Sequence, residues 1–245
     1  MSRSTLQIKQ ILFETISSMR ENLQIFAYFA LIFAIGNYIF IKLENINKSL
    51  FWPHLLMIYA FYYAFIRVYF NQKPIFEKNN FIHTAAKMIV IVLLAFASVM
   101  FLRLGFELMK FFAKSLIIFP DIYNFLADIY VFLKTWPYTN VFLLMFLFAV
   151  LLFTMFIPFF AWISAVIGKE QSIIFSVLET KAYYVKLFAI YFVLYAVMPI
   201  ILTGIMINLG FPLILMCIIS AIFSIFQLVF YLKIYLSLFP LSVIK

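Results

Sequence analysis

Six stretches of this chain are each long and apolar enough to cross a lipid bilayer, and no other feature restricts its possible folds so tightly. They run over roughly 23–41 (LQIFAYFALIFAIGNYIFI), 51–69, 88–106, 139–167, 186–207 and 211–232. A helix needs about 20 mostly apolar residues to span the hydrocarbon core. No water completes backbone hydrogen bonds there, so a crossing segment must satisfy its own, as an α-helix does. The period-of-two alternation that marks a membrane β-barrel is absent. The sequence therefore predicts an all-α integral membrane protein, one domain over 1–245, with six transmembrane helices. The longer stretches can tilt or extend past the lipid.

Composition agrees. Of 245 residues, 67% are hydrophobic and 11% charged, with a mean hydropathy of +1.13. A soluble domain is about 45–50% apolar and about 25% charged, and so few charges could not cover a water-soluble fold of this size. The single cysteine, Cys217, lies in an apolar run with no metal-ligand spacing around it and is expected as a small packing residue. The N-terminal MSRSTLQIKQILFETISSMREN lacks a compact apolar core followed by a small-residue cleavage site, and is not read as a removable signal peptide.

Six crossings place both termini on one side. That side holds Arg3, Lys9, Arg20, Arg67, Lys73, Lys78, Lys87, Lys169, Lys181, Lys186, Lys233 and Lys245. The other holds Lys42, Lys48, Arg103, Lys110, Lys114 and Lys134. Twelve against six puts the termini in the cytoplasm. The uncharged Asn208-Leu209-Gly210-Phe211-Pro212 fits a tight turn on the far side. A net charge of +9 needs no nucleic acid to explain it in a membrane protein.

Interfacial helices are expected over about 4–22, 76–87, 107–137 and 170–185. In the first, Ile8, Ile11, Leu12, Thr15 and Met19 form one stripe while Lys9, Gln10, Glu14, Ser17, Arg20 and Glu21 lie largely elsewhere. Ser4 and Gln7 have capping-box spacing. A plain extension of the first span is the alternative. In 107–137, Asp121 and Asp128 are seven apart and share a helical face, opposite Ile122, Phe125, Leu126 and Ile129. Two acids on one face could hold a cation or perform acid–base work, but the wet side of an interfacial helix explains them more simply. Tyr130, Trp136 and Tyr138 suit the adjoining aromatic belt.

A pattern recurs. FETISSMRENLQIFAYFALIF (13–33), FIHTAAKMIVIVLLAFASVMF (81–101) and FSVLETKAYYVKLFAIYFVLY (175–195) align Phe13, Phe81 and Phe175, then Ala27, Ala95 and Ala189, with Lys87 on Lys181. The copies begin 68 and 94 residues apart, and an insert near 107–137 accounts for the excess. The pattern predicts a threefold repeat of helical hairpins, each led by an interfacial half-helix. Internal repeats are common in membrane folds.

The segment FIPFFAWISAVIGKEQSIIFSVLETKAYYVKLF (157–188) resembles a recurring segment of the YciC-like bacterial inner-membrane proteins, a family related to the membrane domain of some glycerophosphodiester phosphodiesterases. There a span ends near a proline, an acidic polar turn follows, and a helix with spaced Ser and Lys leads into the next span. Pro158, Glu170, Ser176, Lys181 and Lys186 match that scheme, and STLQIKQILFETISSMRENLQIF resembles the family's opening. About 60 residues carry the likeness. It implies a multi-pass protein of the bacterial inner (cytoplasmic) membrane that handles or senses lipid. The soluble phosphodiesterase barrel is absent, so that activity does not carry over.

No catalytic motif occurs, and none of the nucleophile, paired-histidine or phosphate-loop patterns is present; the chain is read as non-enzymatic, with no cofactor and no metal site. His54 and His83 fall on opposite predicted sides and cannot ligate one haem. Ionisable groups at bilayer depth mark ion paths, yet Arg67, Arg103 and Lys186 all lie close enough to a span end to snorkel. Within the spans Asn37, Gln227 and scattered Ser and Thr are the polar residues, which disfavours a transporter. The candidates for binding anionic lipid headgroups are Arg20, Lys78, Lys87, Lys169, Lys181 and Lys186, each contributing on the order of 1 kcal/mol near an anionic leaflet. Ordinary topology-setting charge explains the same lysines. Two functions stay open: a phospholipid-binding or phospholipid-organising envelope protein, and an accessory subunit of a larger respiratory or translocation complex with a membrane-protein partner.

Overall fold

The computed structural model describes residues 7–44, 46–115, 146, 149–169 and 171–239, and these are helical throughout apart from short turns, with no strand among them. Six segments can cross a membrane: Leu23–Glu44, Lys48–Tyr69, Lys78–Phe101, Ala149–Val166, Ile173–Asn208 and Leu213–Leu238. The chain is an all-α polytopic membrane protein.

The first helix, α1, spans Ile8–Glu21. Gln7 precedes it in extended backbone and makes no side-chain cap; Ser4, the other half of the expected capping box, lies outside the described residues. The predicted apolar stripe divides. Ile11 and Thr15 are buried and Met19 packs on the core, whereas Ile8 and Leu12, with Phe13 and Ile16 beside them, remain exposed. A break at Asn22 separates α1 from α2 (Leu23–Glu44).

A 3₁₀ turn at Lys48–Leu50, capped by the Asn47 side chain accepting from the Ser49 amide at 3.0 Å, returns the chain into α3 (Phe51–Tyr69). The α2–α3 hairpin closes on aromatic rings: Phe33 stacks on Phe61 at 4.4 Å, and Phe29 meets Phe65 edge-on at 5.1 Å. Gly36 leaves room for the end of the Met57 side chain, since a Cβ there would stand 2.6 Å from Met57 Sδ.

Helix α4 runs unbroken over Lys78–Ser115. Its 38 residues rise about 57 Å, nearly twice the roughly 30 Å hydrocarbon core, so several turns must stand beyond the lipid. The stretch expected as a separate interfacial helix over 76–87 is the start of this same rod. Residues 116–137 of the next expected interfacial helix, Asp121 and Asp128 included, lie outside the described residues, as do the first residues of the expected 139–167 span.

The fourth span passes through a π turn, Leu152–Phe156, into the short helix α5 (Phe159–Val166). It is the hub of the fold, because every residue from Phe160 to Val166 is buried. The fifth span comprises α6 (Ile173–Thr180), a 3₁₀ turn, α7 (Tyr184–Phe192), a second π turn (Val193–Val197) and α8 (Met198–Asn208). The half-helix expected at 170–185 therefore runs on into the span. Gly210, at φ +65°, makes the predicted tight turn into α9 (Leu213–Leu238). Helix α9 packs along α2 and α1, joining last span to first, while α4 packs on α5 and the π turn before it.

The structure does not show the threefold repeat. The half-helix is separated from its span by a break in the first unit, fused with it in the second, and joined through a 3₁₀ turn in the third.

Candidate functional site

Alternating spans bring the ends of α3, α5 and α9 and the starts of α2, α4 and α6 to one boundary, here termed the basic boundary. All six lysines and arginines proposed for headgroup binding lie on it, and so does Arg67; Arg67 and Lys87 are engaged by the fold, Lys169 is held in a turn through its backbone, and the other four face outward.

One group is consumed by the fold. The sequence reading has Arg67 snorkelling to water; instead it is 3% exposed. Its Nε and one terminal nitrogen donate to the Pro74 carbonyl at 3.0 and 2.8 Å, and the other terminal nitrogen donates to the Val166 carbonyl at 3.0 Å. Those carbonyls lie in the α3–α4 loop and at the C-terminal end of α5, where a helix leaves acceptors unpaired and its dipole favours a cation. The Glu77 carboxylate is 3.5 Å away but half-exposed, so it adds little. Periodicity could not separate these alternatives, because Arg67 sits within one turn of a span end in either case.

Around Arg67 the junction is cross-linked by polar side chains. Tyr63 donates to the Asn80 side-chain oxygen at 2.9 Å, and Asn80 Nδ2 donates to the Ala165 carbonyl at 2.9 Å. Tyr59 and Thr84 share a hydrogen bond of 2.7 Å. Lys87 Nζ donates to the Gln171 carbonyl at 2.8 Å, tying α4 to the α5–α6 turn. The Lys169 carbonyl accepts from Ser164 Oγ at 3.0 Å, fixing its backbone in that turn.

The other group faces outward. Arg20, Lys78, Lys181 and Lys186 are exposed and make no ion pair or hydrogen bond to another described residue. They stand at or beside the ends of α1, α4, α6 and α7.

At the opposite boundary His54 bridges α3 and α2. Nδ1 lies 2.6 Å from Glu44 Oε1, Nε2 lies 2.9 Å from Asn37 Oδ1, and the ring stacks on Phe40 at 5.1 Å. This accounts for Asn37, one of the two larger polar residues within the spans. His83 is exposed on α4 at the basic boundary. No cluster of three or more His, Cys, Asp or Glu occurs among the described residues.

Gln227, the other such residue, has a purpose the sequence hides. A proline follows each π turn: Pro158 after Leu152–Phe156 and Pro199 after Val193–Val197. Proline has no N–H to donate, so helical carbonyls before it lose their partners. Within the second turn the Met198 amide reaches back to the Val193 carbonyl, and the next position in that register is Pro199. The Leu194 carbonyl thus lacks a backbone donor, and Gln227 Nε2 donates to it. One turn along α9, Tyr231 Oη donates to the Phe156 carbonyl of the first π turn. Two residues four apart on α9 repair two interrupted helices, as buried backbone at bilayer depth requires.

Last, a cleft of about 460 Å³ opens at the basic boundary between α1 and the end of α9, with Glu14 and Lys233 on its walls.

No family model, curated protein or solved structure matches this chain.

Proposed function

We propose that this chain is a non-enzymatic, multi-pass protein of a bacterial inner membrane that binds or organises phospholipids through the basic boundary, with both termini cytoplasmic. One observation carries the reading. The junction at that end spends Arg67 and Lys87 on carbonyls, while Arg20, Lys78, Lys181 and Lys186 point outward without partners among the described residues. Outward cations at a lipid boundary each attract anionic headgroups by about 1 kcal/mol. Topology-setting charge requires basic loops but not this division of labour. The twelve-to-six distribution of Lys and Arg supports the orientation. The likeness of 157–188 to the YciC-like family supports membership of a lipid-handling envelope group.

The test is the triple variant Lys78→Gln, Lys181→Gln, Lys186→Gln. Lys87 is left in place because its loss would open the contact between α4 and the α5–α6 turn. Extracted in detergent with native lipid, the variant is expected to co-purify severalfold less anionic phospholipid than the unaltered chain. Equal anionic lipid in both removes headgroup binding from the account. A stoichiometric protein partner whose retention is independent of these lysines favours the accessory-subunit reading instead.

A further inference from the structure

The cleft between α1 and α9 combines charges of both signs with amide donors. Gln10 and Glu14 come from α1 and Gln7 from the residue before it, Lys233 comes from α9, and Ile11 and Leu236 supply apolar lining. Opposite charges in one cleft at the edge of a low-dielectric slab attract each other strongly. Yet Glu14 and Lys233 do not pair. Glu14 Oε1 accepts from Gln10 Nε2 at 2.8 Å, and Lys233 makes no ion pair or hydrogen bond among the described residues. The cleft thus separates a cation from an anion and leaves space between them. Lys233 lies five residues before the end of α9, about 8 Å along the axis, so its stem lies against apolar surface while its ammonium reaches the headgroup layer.

We propose that this cleft is a binding site for a phospholipid headgroup bearing a primary amine, of the phosphoethanolamine class. The Lys233 ammonium donates to the phosphate. The Glu14 carboxylate accepts from the headgroup ammonium, and the Gln7 and Gln10 amides meet the remaining phosphate oxygens. The proposal rests on the reading that phospholipid binds at the basic boundary, and it adds selectivity. A lysine-only surface ranks lipids by net negative charge, whereas a cleft with one fixed charge of each sign is matched by a zwitterion. It rejects a choline headgroup, whose quaternary ammonium has no N–H to give Glu14.

The test uses the full chain in detergent, with binding read by native mass spectrometry against phosphatidylethanolamine, phosphatidylcholine and phosphatidylglycerol of matched acyl chains. The unaltered protein is expected to favour phosphatidylethanolamine over phosphatidylcholine by about tenfold, the worth of one charge-assisted hydrogen bond. Glu14→Gln is expected to abolish that preference while leaving phosphatidylglycerol binding unchanged or stronger. Lys233→Gln is expected to weaken both phosphatidylethanolamine and phosphatidylglycerol, and Lys233→Arg to restore them. Equal binding of the two zwitterionic lipids by the unaltered chain overturns the proposal, as does a preference that survives Glu14→Gln. If the triple lysine variant loses anionic lipid while the cleft variants change nothing, the cleft is refuted and the boundary reading survives. If neither set of variants changes any lipid, both fall.

Discussion

Replacing Arg67 by Met tests whether the buried guanidinium is a structural clasp. Met keeps most of the apolar volume and removes the bonds. Three N–H groups donate to two carbonyls at 2.8–3.0 Å, in a site 3% exposed. Hydrogen bonds to a charged group are each worth about 1.5–3 kcal/mol net, and an orphaned buried acceptor costs about 1–3 kcal/mol. The three bonds share one side chain and are not additive, so the expected loss is about 3–5 kcal/mol, as when one member of a buried charged network is removed. For a chain of this length about 1 kcal/mol moves the unfolding midpoint by about 2–4 °C, so a fall of about 10 °C is expected. The protein carries its own reporter: Cys217 is the single cysteine and is buried in α9, so a thiol-reactive dye in detergent reads its exposure on heating. Arg67→Lys should recover part of the loss, since one ammonium cannot span both carbonyls with the fork geometry of a guanidinium. A midpoint for Arg67→Met within about 2 °C of the unaltered protein would refute the clasp.

Two further outcomes follow from the same geometry. Tyr231→Phe orphans the Phe156 carbonyl and Gln227→Leu orphans that of Leu194; each should cost about 0.6–2 kcal/mol, read as a lower midpoint with the same dye, and unchanged midpoints for both would show that the π turns need no outside donor. Reporter fusions should place residues 47 and 210 on one side of the membrane and residues 72 and 168 on the other; any other pairing breaks the six-crossing order.

Much of the architecture was legible because hydrocarbon is a severe solvent. Hydropathy marks residues 51–69 as a span, and α3 occupies Phe51–Tyr69. The turn at Asn208–Pro212 was equally plain, since an uncharged Gly-Pro segment between two apolar runs has few other uses. The breaks were harder. Nothing in the local pattern distinguishes the fused helix at Lys78–Ser115 from the broken one at Asn22. Lys78, Lys181, Lys186 and Arg20 could be nominated from sidedness alone. Lys87 looked the same in sequence but is engaged with the Gln171 carbonyl, and only the fold brings residues 87 and 171 together.

The sequence by itself determined the solvent, the number of crossings and the boundary that collects the positive charge. Those follow from hydropathy and chain order, which are properties of each segment taken alone. Tertiary structure decided which cations are spent and which are offered, why Gln227 and Tyr231 sit four apart on α9, and that Glu14 faces the same cleft as Lys233. Each of these depends on a carbonyl or charge from a distant segment, and the pairing of distant groups is set by packing rather than by periodicity.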